Sequence, residues 1–228
     1  MAIESSHGNV SAVLSGRARS RQTAHEFVRE TLRRSILSGE LPGGTRLVQS
    51  ELAEALDVST TPIREALRDL ASEGLVKLDA HRGGIVHELQ AEELLEIYEI
   101  RRILEPEAMR MAVGRMSDDV IDRAVKLHER MQESEISADF ITLNREFHLT
   151  IYDAVDSPRL IGILQGLLDA SAMYVSASIL ARPQLRLQAV ADHSDILDAL
   201  RARDPARAAQ AMLDHIRIPQ IVFGMADE

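Results

Sequence analysis

The sequence predicts a mainly α protein: an N-terminal winged helix-turn-helix domain followed by an antiparallel six-helix bundle. Two helical periodicities between Ser50 and Leu70, joined by Asp57-Val58, run into two strand-like segments around a glycine-rich tip. From Gln90 onward apolar residues recur at helical spacing with no strand alternation. Of the 228 residues, 45% are hydrophobic but only 3% aromatic, with no tryptophan, so the core must be built from Leu, Ile, Val, Ala and Met.

Residues 1–20 are rich in Ser and Gly and are expected to form a mobile arm. The first domain is expected over residues 21–88. Its first readable helix, Glu51 to Leu56, turns Leu52, Ala53 and Leu56 inward. In the next, Ile63, Ala66, Leu67 and Leu70 fall at i, i+3, i+4 and i+7, and Thr60, Thr61, Arg64 and Arg68 lie on the other side. Ser59 is expected to cap this helix with its hydroxyl. Pro62 sits in the first turn, where its missing N–H costs nothing, and Gly74 is expected to end the helix in a left-handed conformation. Leu75–Leu78 and Ile85–Val86 read as strands, with His81-Arg82-Gly83-Gly84 as a basic tip.

Hydroxyls and guanidinium groups at the start of a helix suit a DNA major groove, where they meet phosphates and base edges. Ser59, Thr60, Thr61, Arg64 and Arg68 are the candidates, with Arg46 and Ser50 beside them. Arg82 at the tip suits the minor groove, and Gly83 permits a close approach to the backbone. A plain helical hairpin with a solvated polar face is the alternative; the basic hairpin after it favours the DNA reading.

The net charge of −10 looks wrong for a DNA binder. Residues 1–88, however, hold 11 Lys and Arg against 12 Asp and Glu, and the remainder holds 15 against 24. The acidity therefore belongs to the second domain. Arg17, Arg19, Arg21, Arg33, Arg34, Arg46, Arg64, Arg68 and Arg82 are expected to gather on one face. Non-specific binding should still be weak and salt-sensitive. The chain has no cysteine, which excludes disulfides, thiolate zinc sites and cysteine nucleophiles. The scarcity of aromatics argues against a single-strand binder that stacks bases. No signal-peptide pattern is present. Leu160–Leu180 is the most apolar stretch, but Gln165 and Asp169 interrupt it, so it reads as a buried helix and not a membrane span. A cytoplasmic protein without a membrane partner is expected.

The second domain, 89–228, divides into Ala91–Met116 with a bend at Pro106, a helix starting at Ser117-Asp-Asp119, then Ser137–Val155, Leu160–Leu180, Leu185–Arg203 and Pro205–Ile218. Asp204-Pro205 is a cap followed by a first-turn proline, and short connections imply a bundle. Asn144 and His148, at i and i+4, share the inward face of Phe140, Phe147 and Ile151. His193 lies on the stripe of Ala189, Ile196, Leu197 and Leu200, and His215 on that of Ala208, Ala211 and Met212. Three histidines on three inward faces can converge, and three imidazoles with one oxygen suit Zn²⁺, Ni²⁺ or another divalent transition ion. Three unrelated core histidines are the alternative. His128, among Lys126, Glu129 and Arg130, reads as solvated. Arg101 shares an inward stripe with Ile97, Tyr98 and Leu104. It either pairs with Glu105 at i+4 or captures the carboxylate of a bound acid.

Residues Ala24–Val86 resemble the N-terminal domain of the GntR family of bacterial transcription regulators. The words that carry the resemblance are Ile36-Leu-Ser-Gly-Glu-Leu-Pro-Gly-Gly44, Leu52-Ala53, Val58-Ser-Thr-Thr-Pro-Ile-Arg-Glu-Ala-Leu67, Glu73-Gly-Leu75 and Arg82-Gly83. Members commonly carry an arginine that contacts DNA where this chain has Thr60. The resemblance therefore implies an altered operator preference or weaker affinity, with Arg64 and Arg82 carrying more of the contact. Residues 94–216 resemble the FCD effector domain of the family's FadR branch. Its metal pattern is matched by Asn144-Arg-Glu-Phe-His148, by Asp192-His-Ser-Asp-Ile-Leu-Asp-Ala-Leu200 and by Met212-Leu-Asp-His215. Asn144 stands where Asp is commoner; a neutral amide binds metal less tightly and leaves the ion's full charge available to an anion. The family word around Arg101 implies an effector-binding arginine.

The resemblance implies a homodimeric, non-enzymatic regulator that binds double-stranded operator DNA and senses a small organic acid. Two other functions fit parts of the pattern. A three-histidine metalloenzyme could activate water, yet no general base stands beyond the ligands and Glu146 points off their face. Alternatively the metal is purely structural and the bundle only dimerises.

Overall fold

The computed structural model describes residues 23–79, 83–88, 90–134 and 137–217. The expected arm, with Arg17, Arg19 and Arg21, and the tip residues His81 and Arg82 lie outside the described residues. The chain divides into two compact units, Met1–Leu89 and Gln90–Glu228.

The first unit runs α1 (Ala24–Leu37), β1 (Arg46–Val48), α2 (Gln49–Ala55), α3 (Thr60–Ser72), β2 (Val76–Asp79) and β3 (Gly83–Val86). A capping box starts α1: the Glu26 N–H donates to the Thr23 hydroxyl at 3.2 Å and the Thr23 N–H to the Glu26 carboxylate at 3.0 Å. The strands form one antiparallel sheet in the order β1-β3-β2. Strand β1 was not anticipated, because three residues are too few for alternation to register. Ile63, Ala66, Leu67 and Leu70 of α3 are buried as the periodicity requires. Each large one contributes about 1.5–3 kcal/mol on burial. Asp57, at φ +51°, makes the tight turn before α3. Gly74, at φ +75°, ends it, with the Leu75 N–H reaching back to the Leu70 carbonyl at 2.9 Å. Ser59 occupies the N-cap position, but its side chain makes no capping bond. The expected cap is therefore corrected: the hydroxyl stays exposed at the helix start.

Carboxylates near the end of α3 hold α1 in place. His25 meets Asp69 at 2.8 Å, and Arg29 and Arg33 both donate to Glu73. Arg33 is buried in this contact, so it does not join the surface arginines as expected. A buried guanidinium needs a carboxylate partner, and Glu73 is that partner.

The second unit has six α-helices among the described residues: α4 (Ala91–Val113), α5 (Asp118–Glu133), α6 (Ser137–Tyr152), α7 (Pro158–Ala181), α8 (Gln184–Arg201) and α9 (Pro205–His215). Helix α4 carries Pro106 without ending there and packs against α7 and α9. After α6 a short 3-10 turn, Asp153–Val155, leads to Asp156 at φ +54°, and Pro158 starts α7. Asp204 caps α9 by accepting from the N–H groups of Ala206 and Arg207, both at 3.0 Å. Helix α7 is long and apolar enough to cross a membrane by composition. Its buried positions nevertheless include Asp169, Ser171, Ser176 and Ser178, which places polar groups inside the bundle.

Candidate functional site

In the first unit the polar face of α3 is open. Ser59, Thr60, Thr61, Arg64 and Arg68 are all exposed. Arg64 and Arg68 make no ion pair or hydrogen bond among the described residues, so their guanidinium groups are available to an incoming phosphate or base edge. Ser50 is exposed near the start of α2. Arg46 is exposed but lies 3.3 Å from Asp79 across the sheet. Arg82 lies outside the described residues. Gly83 is buried at φ +127°, and an added Cβ would fall 1.9 Å from the Leu47 carbonyl oxygen. Packing of β3 on β1 thus accounts for this glycine without any phosphate.

In the second unit His148 of α6, His193 of α8 and His215 of α9 converge. Their ligating nitrogens lie within 4.8 Å of one another, and the ring centroids of His148 stand 5.3 Å from His193 and 5.1 Å from His215. His148 and His193 are fully buried, and neither nitrogen of either ring has a hydrogen-bond partner. The Nδ1 of His215 is likewise without one. Orphaned buried polar atoms are costly, and one ion touching all three rings would satisfy one nitrogen of each. Burial depresses both His148 and His193 well below the ordinary histidine value, and the positive charge of neighbouring His215 adds to it. The rings are therefore neutral, the state a metal ligand requires. The donor set fits a borderline transition ion.

Above the histidines lies a cavity of about 580 Å³. Asn144, Asp192 and His215 are among its lining residues, as is Arg101, whose charge is already compensated. Its Nε donates to Glu105 and its Nη1 to Ser171 at 3.2 Å. The other Glu105 oxygen accepts from Tyr152. Both alternatives for Arg101 are thus represented: the pair with Glu105 exists, and the side chain faces the cavity. Burial pushes the Tyr152 hydroxyl well above its ordinary value, and the Glu105 charge adds to this, so it stays a donor.

Asp192 is the residue the sequence reading missed. Its carboxylate stands 3.6 Å from His215 Nδ1, ion-pair reach but past hydrogen-bond length, and accepts from Gln188 at 2.9 Å and Arg217 at 3.2 Å. Burial works to raise this carboxyl, but His215, Gln188 and Arg217 outweigh it and hold it below the usual range. Asp192 and Asn144 both line the cavity, so each offers an oxygen to it. The signal for Asp192 was its helical spacing from Leu185 and Ala189, which carries it onto the cavity face. His128 is a correction: it is buried, 6.2 Å from the His193 ring, and bonds Ser194 at 3.1 Å. Its charged neighbours in sequence lie on the far side of α5. Glu146 is exposed, as read.

The comparisons agree with this architecture. The family model described as bacterial regulatory proteins, gntR family, matches residues 24–86, and the FCD domain model matches residues 96–218. The probable D-xylose utilization operon transcriptional repressor of Paenarthrobacter nicotinovorans is 31% identical over 200 residues, covering 86% of this chain and 87% of the relative. The transcriptional regulator McbR of Escherichia coli K12 is 30% identical over 183 residues, covering 78% and 82%. The solved structure of E. coli McbR/YncC superposes with a TM-score of 0.71 at 27% identity, covering 86% of this chain and 94% of that one. A winged unit with a free arginine face, joined to an FCD bundle, makes this chain a non-enzymatic transcriptional regulator of the GntR family.

Proposed function

We propose that this regulator binds operator DNA as a homodimer, represses, and responds to a small carboxylic acid bound beside a divalent ion in the helical unit. The observation that carries the reading is the convergence of three histidines, His148 and His193 buried without a hydrogen-bond partner, beside an arginine-lined cavity. Repression follows the role in the name of the P. nicotinovorans relative.

On the DNA side, α3 enters the major groove. Arg64 and Arg68 reach base edges or phosphates, and Ser59, Thr60 and Thr61 bind the backbone. Arg46 and Ser50 contact the flanks, Arg82 the minor groove, and Gly83 holds the strand that presents that tip. On the effector side, Asn144, His148, His193 and His215 hold the metal, Zn²⁺ or Ni²⁺, with Asp192 as a further oxygen donor. A bound divalent ion supplies two positive charges and open positions for a carboxylate. Arg101, braced by Glu105 and Ser171, directs its uncommitted Nη2 at the same carboxylate. Effector and operator then alter each other's affinity by one shared factor.

The test is a fluorescence-anisotropy titration of DNA from upstream of the chain's own gene, at low salt. Specific binding is expected, weakened by an acid only in the metal-loaded protein. Absence of a specific complex with every upstream fragment overturns the DNA reading. A purely structural metal is the second reading, favoured by the complete burial of His148 and His193. Chelation separates the two: a large loss of thermal stability with unchanged acid binding supports the structural role.

A further inference from the structure

The cavity has two polar ends with an apolar stretch between them. Three helices agree on its long axis. Helix α8 carries Leu185 to one end and Asp192 to the other, helix α7 carries Ser171 and, just past its last turn, leads to Arg182, and helix α6 carries Phe140 and Asn144. At 1.5 Å per residue, Leu185 to Asp192 spans about 10 Å and Ser171 to Arg182 about 16 Å. Ile141, Val175 and Ile179 line the stretch between.

The arginines of this cavity differ in what they are already bonded to. Arg101 has Glu105, Arg145 has Asp169 and Arg217 has Asp192. Arg102 donates to the Ile216 carbonyl at 2.8 Å. Arg182, which follows the last turn of α7, is exposed at the cavity mouth and its side chain makes no ion pair or hydrogen bond among the described residues. Five arginines and one aspartate line the cavity. Glu105 and Asp169, standing behind Arg101 and Arg145, leave two positive charges uncompensated, those of Arg102 and Arg182, before any metal is counted. The rest of the unit is acidic, so this local surplus is built against the background.

Resting on the acid-sensing reading above, we infer that the effector is an elongated dianion. One carboxylate lies at the histidine end, an apolar body lies against Ile141, Val175 and Ile179, and a second anionic group pairs with Arg182 at the mouth. Arg182 is then the residue that selects dianions over monoacids.

Calorimetric titration of the full-length, Zn²⁺-loaded protein tests this with hexanedioate and octanedioate against hexanoate and octanoate. At least one diacid is expected to bind about threefold to fivefold tighter than its matched monoacid, the factor an exposed ion pair supplies. Arg182→Ala should remove that preference while leaving monoacid affinity unchanged, and Arg182→Lys should restore part of it. Tyrosine near-ultraviolet circular dichroism checks that the variants keep the native bundle. Monoacids binding as tightly as diacids, or a preference that survives Arg182→Ala, overturns the inference and leaves the acid-sensing reading standing. Failure of all four acids to bind, with or without Zn²⁺, overturns both.

Discussion

The arginines of α3 and those of the cavity use one side chain in opposite ways. Arg64 and Arg68 stand exposed with no partner among the described residues, so they reach DNA with their full charge and little desolvation to overcome. Arg101 and Arg145 are tied to Glu105 and Asp169 before any ligand arrives. A guanidinium inside a bundle must be compensated, because an unpaired buried charge costs several kcal/mol. Counting arginines therefore overstates the pull of the cavity on an anion and understates that of α3. The histidines reverse the contrast: His25 meets Asp69 near the surface, whereas His148 and His193 are buried with no hydrogen-bond partner.

The largest expected effect comes from breaking a cavity pair. Glu105→Ala leaves Arg101 buried without its carboxylate and should destabilise the bundle by about 3–5 kcal/mol. All three tyrosines, Tyr98, Tyr152 and Tyr174, lie in the second unit, so their near-ultraviolet signal during urea unfolding reads that unit alone. A cost below about 1 kcal/mol would erase the distinction between the two sets of arginines.

Next comes pH in the metal-free protein. His148 and His193 titrate well below their unfolded value near 6.5. The unfolded chain therefore takes up protons that the folded bundle refuses. The contribution of these two groups is fully present only well above pH 6.5 and is lost as pH falls through it, by at most roughly 3 kcal/mol at pH 5.5. Thermal melts between pH 7.5 and 5.5 check this, and flat melting temperatures would mean the rings find partners in the apo state.

On the DNA side, Arg64→Ala should weaken specific operator binding by about 1–3 kcal/mol while leaving the melting temperature within the noise of a surface substitution. A stability loss of the same size would show that Arg64 is a structural arginine like Arg33. The smallest effect is expected from Asp79→Ala, which removes the exposed partner of Arg46: at most about 1 kcal/mol of stability, with operator affinity unchanged or raised as Arg46 is freed.

Much of the fold was legible because local patterns and tertiary demands coincide. The four apolar positions of α3 and the left-handed Gly74 are written at helical spacing and are found there. The cap at Asp204 is equally local. Strand β1 was illegible because its partner β3 lies far along the chain. The burial of Arg33 was illegible for the same reason, since Glu73 is 40 residues away. His128 was misread because its sequence neighbours are charged while its own side of α5 is not exposed.

By itself the sequence determined which residues share a face: the order of helices, the open hydroxyl-and-arginine edge of α3 and three inward histidine stripes. Helical periodicity is a local property, and four residues suffice to declare it. Only the tertiary structure decided that the three stripes meet within one ion's reach, that Asp192 stands beside them, and which arginines are already neutralised. Those facts depend on the packing of helices distant in sequence, where an ångström or two separates a ligand shell from unrelated side chains.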